Sequence, residues 1–354
     1  MAYETGSSTG VVDLLEKLAT FLVANGWTKN LLAVDNTTYH TWTGLNGTGK
    51  RLHVQKTAAD ATVMYFNLRA VTRGIIFGEH HGDSGSKYAS TWYFSEITGI
   101  GLNGSTGYDV GQPWDTQPGY QNNGSVLSRG CCINAVDGTI PNYWFFSSAN
   151  NDCVIVMVEY TGGKFQYFMF GLIHKIGTWT GGQFCLATCN SYWPYLIRAS
   201  TWSGQVKGIG KLGYMAIPSS DTNPASAIYA NIDSSANWKE NGESNGYAQF
   251  DGLIANLAFA DHYGDNFMLG LIMNSPNVFN AVAPMFKVHG RIKRTGTNNW
   301  SMAGWIENLR QLRIDNYANA EEVVLGSDTW MVFPAHCRTE DELSGYGIAV
   351  KKVV

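Results

Sequence analysis

The sequence predicts a mainly β protein, a β-sandwich-like stack of layered antiparallel sheets with a short N-terminal amphipathic helix. Three observations predict it. The apolar runs Val154–Tyr160 and Phe165–Ile173 flank Thr161-Gly162-Gly163-Lys164, and a Gly-Gly pair between β-branched and aromatic runs is a hairpin signal because glycine reaches the positive φ of tight turns. Both runs are apolar on both faces: Phe165, Tyr167, Met169 and Ile173 point one way, Phe168, Phe170 and Leu172 the other. Such strands need cover on both sides, from another layer of the chain or from a neighbouring chain. Finally, only 15% of the 354 residues are charged, while 13% are aromatic and 40 are glycine. That balance suits short strands, tight turns and large buried surfaces, and it is the reverse of a disordered chain.

Along the chain, Val12–Asn25 predicts a helix, with Leu14, Leu15, Leu18, Phe21 and Leu22 on one stripe. Ser8 or Thr9 is the expected cap, Asp13 suits the positive end, and Asn25-Gly26 stops it. Strands follow at 51–56, 62–71, 74–78 and 91–94. Residues 102–130, rich in Gly, Asn, Gln, Pro and Ser, predict a long loop or a domain seam. Tyr143–Phe146, the hairpin, and Phe184–Ala187 after a turn at Thr180-Gly181-Gly182 make a strand-rich centre. Residues 200–249 are the least regular; the apolar pattern resumes at 253–260 and 267–273. The C-terminal part predicts strands at 285–290, 329–333 and 347–353, with 305–314 either a short strand or a helical turn. The expected division is 1–115, a helix plus a β domain, and 116–354, a larger β domain with a loop-rich insertion near 190–284. No fixed-period repeat is present, which argues against a solenoid or propeller.

The net charge of −4 gives no electrostatic reason to expect nucleic acid. The densest basic run, Arg291-Ile292-Lys293-Arg294, reads as a solvated turn. The six cysteines, Cys131, Cys132, Cys153, Cys185, Cys189 and Cys337, form no CxxC pair and read as reduced, mostly buried thiols of a protein made in a cytosol. The start lacks a basic leader, and no run approaches 18 apolar residues, so neither a secretory signal nor a membrane span is expected.

Glu79-His80-His81 with Asp83 reads as an exposed turn, because adjacent residues on a strand face opposite ways. Asp261-His262 with Asp265-Asn266 lacks the spacing of a calcium loop. Leu45–Arg51 holds a lone GTGK without the preceding part of a phosphate cradle. Asp109, Asp115, Glu159 and Glu307 are carboxylates of the kind a glycoside-cleaving depolymerase pairs, but nothing in their context selects them; Glu159 reads as a charge at a strand end. The chain therefore reads as non-enzymatic, with no catalytic residue, metal or cofactor. The remaining signal is aromatic: Trp114, Tyr120, Trp193, Tyr195, Trp202 and Trp238 lie near amide and hydroxyl side chains. Such rings serve sugar-binding surfaces, protein interfaces or cores.

Three blocks carry a resemblance. LLEKLATFLVANGWT followed by LHVQK and YFNLRAV, the aromatic strands of Tyr143–Lys175 leading into the G-x-W-T-G-G turn of Gly177–Gly182, and WMVFP with a closing GIAVKKV strand together resemble structural proteins of tailed-bacteriophage virions. The resemblance covers about half the chain and marks a structural family, so it carries no catalytic residue over. It implies a component of the tail, baseplate or collar, assembled in the host cytoplasm and located in the virion. The implied partners are copies of itself in a symmetric homo-oligomer and other virion proteins. The alternative is a host-recognition or carbohydrate-binding module of the tail, with a surface glycan as partner.

Overall fold

The computed structural model describes residues 2–35, 48–74, 97–112, 117–119, 131–135, 138–150, 152–190, 226–231, 236–240, 247–252, 283–293, 300–334 and 346–353. The elements are β1 Tyr3–Ser8, α1 Val11–Ala24, β2 Thr28–Val34, β3 Thr48–Thr57, β4 Val63–Gly74, β5 Ile97–Ser105, β6 Cys131–Ala135, β7 Ile140–Ser147, β8 Cys153–Thr161, β9 Lys164–Leu172 and β10 His174–Lys175. They continue with β11 Gly181–Ala187, β12 Cys189–Asn190, β13 Ser226–Ala230, β14 Asn237–Glu240, β15 Tyr247–Gly252, β16 Phe286–Lys293, β17 Trp300–Arg313, β18 Glu321–Leu325, β19 Asp328–Pro334 and β20 Tyr346–Lys352. The protein is mainly β, as its sequence predicts, with several layered antiparallel sheets and one short helix among the described residues.

The central sheet runs β1-β7-β8-β9-β11-β13-β14. A second sheet runs β15-β16-β17-β20-β19-β18, with β10 also paired to β17. A third runs β12-β6-β5-β4-β3-β2. The hairpin at the centre forms as expected: Thr161 pairs with Lys164 across Gly162-Gly163. Gly163 takes φ 73°, the left-handed conformation that the turn requires.

The two-faced strands are covered on both sides by their own chain. On one face, Cys153, Ile155, Met157, Phe165, Tyr167 and Met169 share a core with Val288, Ile292, Ile306, Leu309, Phe333 and Ile348 of the second sheet. On the other, Val154, Val156, Val158, Phe168 and Phe170 share a core with α1 and with Leu52, Phe66, Leu68, Ile100 and Leu102 of the third sheet. Aromatic contacts link the layers. Phe333 meets Trp144 at 5.1 Å, and Phe66 meets Phe170 at 5.0 Å. Trp27 packs on both Phe66 and Phe170 at 6.0 and 5.4 Å.

Helix α1 buries Leu14, Leu15, Leu18, Phe21 and Leu22 as its periodicity predicts. Its ends differ in how well they follow expectation. Gly10, and neither Ser8 nor Thr9, is the N-cap, without a side-chain cap. The reason is that Ser8 ends β1, paired with Ile140, and Asp13 reaches back instead: its carboxylate accepts the Thr9 amide at 2.9 Å and lies 3.0 Å from the Ser8 hydroxyl. The C-terminus closes as expected. Gly26 takes φ 80°, its N–H donates to the Val23 carbonyl, and the Trp27 N–H donates to the Leu22 carbonyl, the paired bonds of a Schellman ending.

Other segments correct the sequence reading. The basic run is not a turn: Arg291, Ile292 and Lys293 lie in β16, with Ile292 in the core. Alternation resolves this, since one inward isoleucine suffices to seat the strand. Of the two readings of 305–314, the strand holds: residues 305–313 belong to the long strand β17. The expected loop from residue 102 begins only after Ser105, because β5 continues that far. Within 190–284, β13 and β14 complete the central sheet, and β15 begins the second. The strand β1, from the first residues, pairs with β7. Among the described residues no helix is long and apolar enough to cross a membrane.

Gly104 shows how closely the layers approach. A Cβ there would lie 1.9 Å from Cζ2 of Trp238, in the middle of a rigid indole. Gly104→Ala is expected to cost about 2–3 kcal/mol of stability by overpacking, whereas Gly162→Ala, with nothing within 4 Å, should cost well under 1 kcal/mol. Urea unfolding of the two variants checks this; equal midpoints would contradict the packing.

Candidate functional site

The third sheet alternates strictly. Leu52, Val54, Phe66, Leu68, Ile100 and Leu102 face the core, which turns Arg51, His53, Asn67, Arg69 and Asn103 to the opposite face. The register sets these in rows across the sheet: His53 opposite Asn67 opposite Asn103, and beside it Arg51 opposite Arg69 opposite Gly101. A face of this composition ordinarily meets water. Here His53, Asn67, Arg69 and Asn103 are all at most 2% exposed.

Burial of that many polar groups requires partners. The Arg69 guanidinium, fully buried, pairs with Asp35 at 2.9 Å. Asp35 is held where β2 ends by its amide, which donates to the Gly49 carbonyl. The His53 Nδ1 lies 2.5 Å from Asn67 Oδ1, so Nδ1 carries the proton and donates, and Nε2 is left as an acceptor. Tyr108 packs its ring against the imidazole at 5.1 Å, tilted by 46°. Burial, with the Arg51 charge adding to it against the Asn67 hydrogen bond, pushes the imidazole down to about 4, so His53 is neutral at pH 7. Among the described residues, His53 Nε2 and Asn67 Nδ2 have no hydrogen-bond partner. One accepts and the other donates, and a hydroxyl answers both at once. As a base, an imidazole held this low is too weak for proton transfer near neutrality.

A second polar cluster joins the three sheets at one end. Lys175 of β10 reaches Asp60, in the turn between β3 and β4, at 2.6 Å. Lys56 of β3 faces Asp152, in the turn before β8, at 3.8 Å. Burial raises the Asp152 carboxyl, helped by the negative charges of Asp60 and Glu307 and opposed by Lys56. Asp60 is lowered: burial alone would raise it, but Lys175 and the hydrogen bonds from Thr62 outweigh that. Two carboxyls pushed apart in this way can mark an acid–base pair. Each of these, however, already faces an ammonium group, so the cluster acts as an ion-pair clasp between layers.

The carboxylates singled out from the sequence have local duties. Glu159 braces the hairpin: it accepts the Gly163 amide at 2.7 Å and the Asn142 amide group at 2.6 Å. Asp109 shapes a turn, accepting the Gly111 amide at 3.0 Å, while Gln117 bonds the Asp109 backbone. Glu307 is exposed on β17. Among the described residues no group of three or more His, Cys, Asp and Glu could hold a metal. Of the six candidate aromatics, Trp238 is in the core, 5% exposed, against Phe66 at 6.5 Å and Tyr229 at 5.6 Å. That burial takes it off any ligand-facing surface. Trp114, Tyr120, Trp193, Tyr195 and Trp202 lie outside the described residues, as do Asp115, His80, His81 and the 261–266 acidic turn.

Sequence reasoning missed His53, Asn67, Arg69 and Asp35, although period-2 alternation places three of them on one face. The missing signal was depth, because nothing local says that a polar face is covered.

The imidazole gives a pH signature. An unfolded chain binds a proton at His53 below about 6.5, and the folded chain does not until about 4. Stability therefore rises with pH across that window and is lost on acidification, by about 3 kcal/mol from this group. His53→Gln should flatten the slope of urea-unfolding free energy between pH 6.5 and 4.5. Asp35→Asn, which removes the carboxylate facing the buried Arg69, should cost roughly 3 kcal/mol at pH 7 by the same measurement.

No protein-family model matches the chain, and no curated protein is significantly similar to it.

Proposed function

We propose that the protein is a structural component of a bacteriophage virion, of the tail, baseplate or collar, working by self-association and by docking other virion proteins rather than by catalysis. The three sequence blocks that resemble virion structural proteins support this reading. So does the use of the described carboxylates, which brace turns, pair with buried cations or clasp sheets together.

The observation that carries it concerns where association must happen. Both faces of the central sheet are closed by the chain itself, so copies do not meet through those faces. Sheet edges remain. Strand β18 ends the second sheet and exposes Val324 and Leu325, at 68% and 47%. An exposed edge strand with apolar side chains is a template for pairing with another chain.

Light scattering on the purified protein, with mass spectrometry of purified particles, tests the proposal. The expected results are a multimer in solution and the chain among the virion proteins. Val324→Lys with Leu325→Lys should shift the mass toward the monomer, with unchanged thermal unfolding of the monomer itself. A monomer at all concentrations, absent from particles, would overturn the reading.

A further inference from the structure

We infer that the acidic edge strand β18 of one copy docks on the outer face of the second sheet of the next, where Lys287, Arg310 and Trp305 form a cationic, aromatic shelf. Copies then join head to tail. The inference rests on the self-association proposed above and names the surface that receives the edge.

Register builds the shelf. Val288, Ile292 and Ile306 fill the core between the sheets, so their neighbours Lys287, His289 and Trp305 face the other way. His289 pairs with Trp305, and Trp305 with His174 of β10; residues paired across a ladder share a face. Two imidazoles and an indole thus form a row across three strands. His174 stacks on Trp305 at 4.0 Å, and His289 meets it edge-on at 6.3 Å. Lys287 Nζ lies 4.0 Å from the centre of the same indole. Lys287 is also directly opposite Arg310. The Arg310 guanidinium lies over Trp330 at 4.8 Å and donates to the backbone carbonyls of Glu307 and Leu309.

Like charges directly opposed across a ladder repel. Among the described residues neither Lys287 nor Arg310 has an ion pair. Burial lowers Arg310, and Asp328 and Glu307 oppose that only from longer range; Asp328 is already paired with Lys351 at 2.7 Å. Burial also pushes the His289 imidazole down, and the charges of Lys287 and Arg310 push it further, against a backbone hydrogen bond with Lys287. The shelf therefore carries positive charge that the fold leaves uncompensated. Apolar surface lies beside it. Met302 of β17 is 48% exposed, and Ile176, whose amide donates to the Ala303 carbonyl at 2.9 Å, is 44% exposed.

Strand β18 is the complement, with Glu321 and Glu322 leading into the exposed Val324 and Leu325. Glu322 meets Lys352 at 2.7 Å through one oxygen, an exposed pair that contributes little and leaves the other oxygen for a second cation. Within one copy the two surfaces are held apart. Strands β19 and β20 separate β18 from β17, and at about 4.8 Å per step that is roughly 14 Å. Different patches on the two copies make a heterologous contact, which closes into a ring when the rotation between neighbours allows.

Light scattering and sedimentation of the full chain test the contact with Lys287→Glu and Glu322→Lys. Both side chains are exposed, so the variants should unfold at the wild-type temperature. The wild-type multimer should weaken as salt rises. Each variant alone should associate at least about tenfold more weakly, because like charges now face each other across the contact. Mixed in equal amounts, the two should form a dimer of one each and stop there: Glu322→Lys keeps the shelf intact and Lys287→Glu keeps the edge intact. If Lys287→Glu assembles like the wild type, as symmetric pairing of β18 with β18 demands, the inference is overturned and the proposed self-association stands. A wild-type chain that is monomeric at every concentration would overturn both.

Discussion

Everything else in this fold depends on the hairpin of β8 and β9 being buried on both sides. Its side chains are large and apolar on each face, and each fully buried Val, Phe or Met contributes about 1.5–3 kcal/mol relative to exposure. No single partner layer could satisfy it. The chain answers with a second sheet on one face and with α1 and a third sheet on the other. The N-terminal helix is thus part of the wall that shuts one face of the core, and Trp27 directly after it wedges between the central and third sheets.

Stacking three layers leaves polar groups in places where water does not reach. The outer face of the third sheet deals with them by pairing within the fold: Arg69 with Asp35, and His53 with Asn67. Buried pairs of this kind add less to stability than their Coulomb attraction suggests, because both charges lose their hydration. What they do is fix register, since sliding any strand by one residue would carry Arg69 or His53 into the apolar core. At the end of the stack, Lys175–Asp60 and Lys56–Asp152 tie the layers together across sheet boundaries. Charge is sparse in this chain, and where its placement is described much of it is spent on alignment.

Much of this was legible in the sequence, and the reasons for the exceptions are physical. The hairpin, its two-facedness and the amphipathic helix are local signals, and each appears where its pattern puts it. Glycines were legible as turn markers but not as contact points: Gly104 exists for Trp238, 134 residues away in sequence, and no local pattern records such a partner. The same distance hid which role Trp238 takes: its polar neighbours left surface, interface and core open, and it fills a core. Ser8 was a sound cap by composition, but the ladder with β7 claimed it. His53 and Asn67 lie on separate strands, and only the pairing of β3 with β4 puts them on one face, while their burial depends on what lies over that face.

Hydrogen exchange on the dilute protein tests the central claim most directly. If the chain alone covers both faces of the hairpin, the amides of Val154–Val158 and Phe165–Phe170 should be among the slowest to exchange. Their protection should approach the global unfolding free energy and should not change with protein concentration. Fast exchange in these segments at low concentration, slowing as the protein is concentrated, would show that neighbouring copies supply the cover, and would contradict the account.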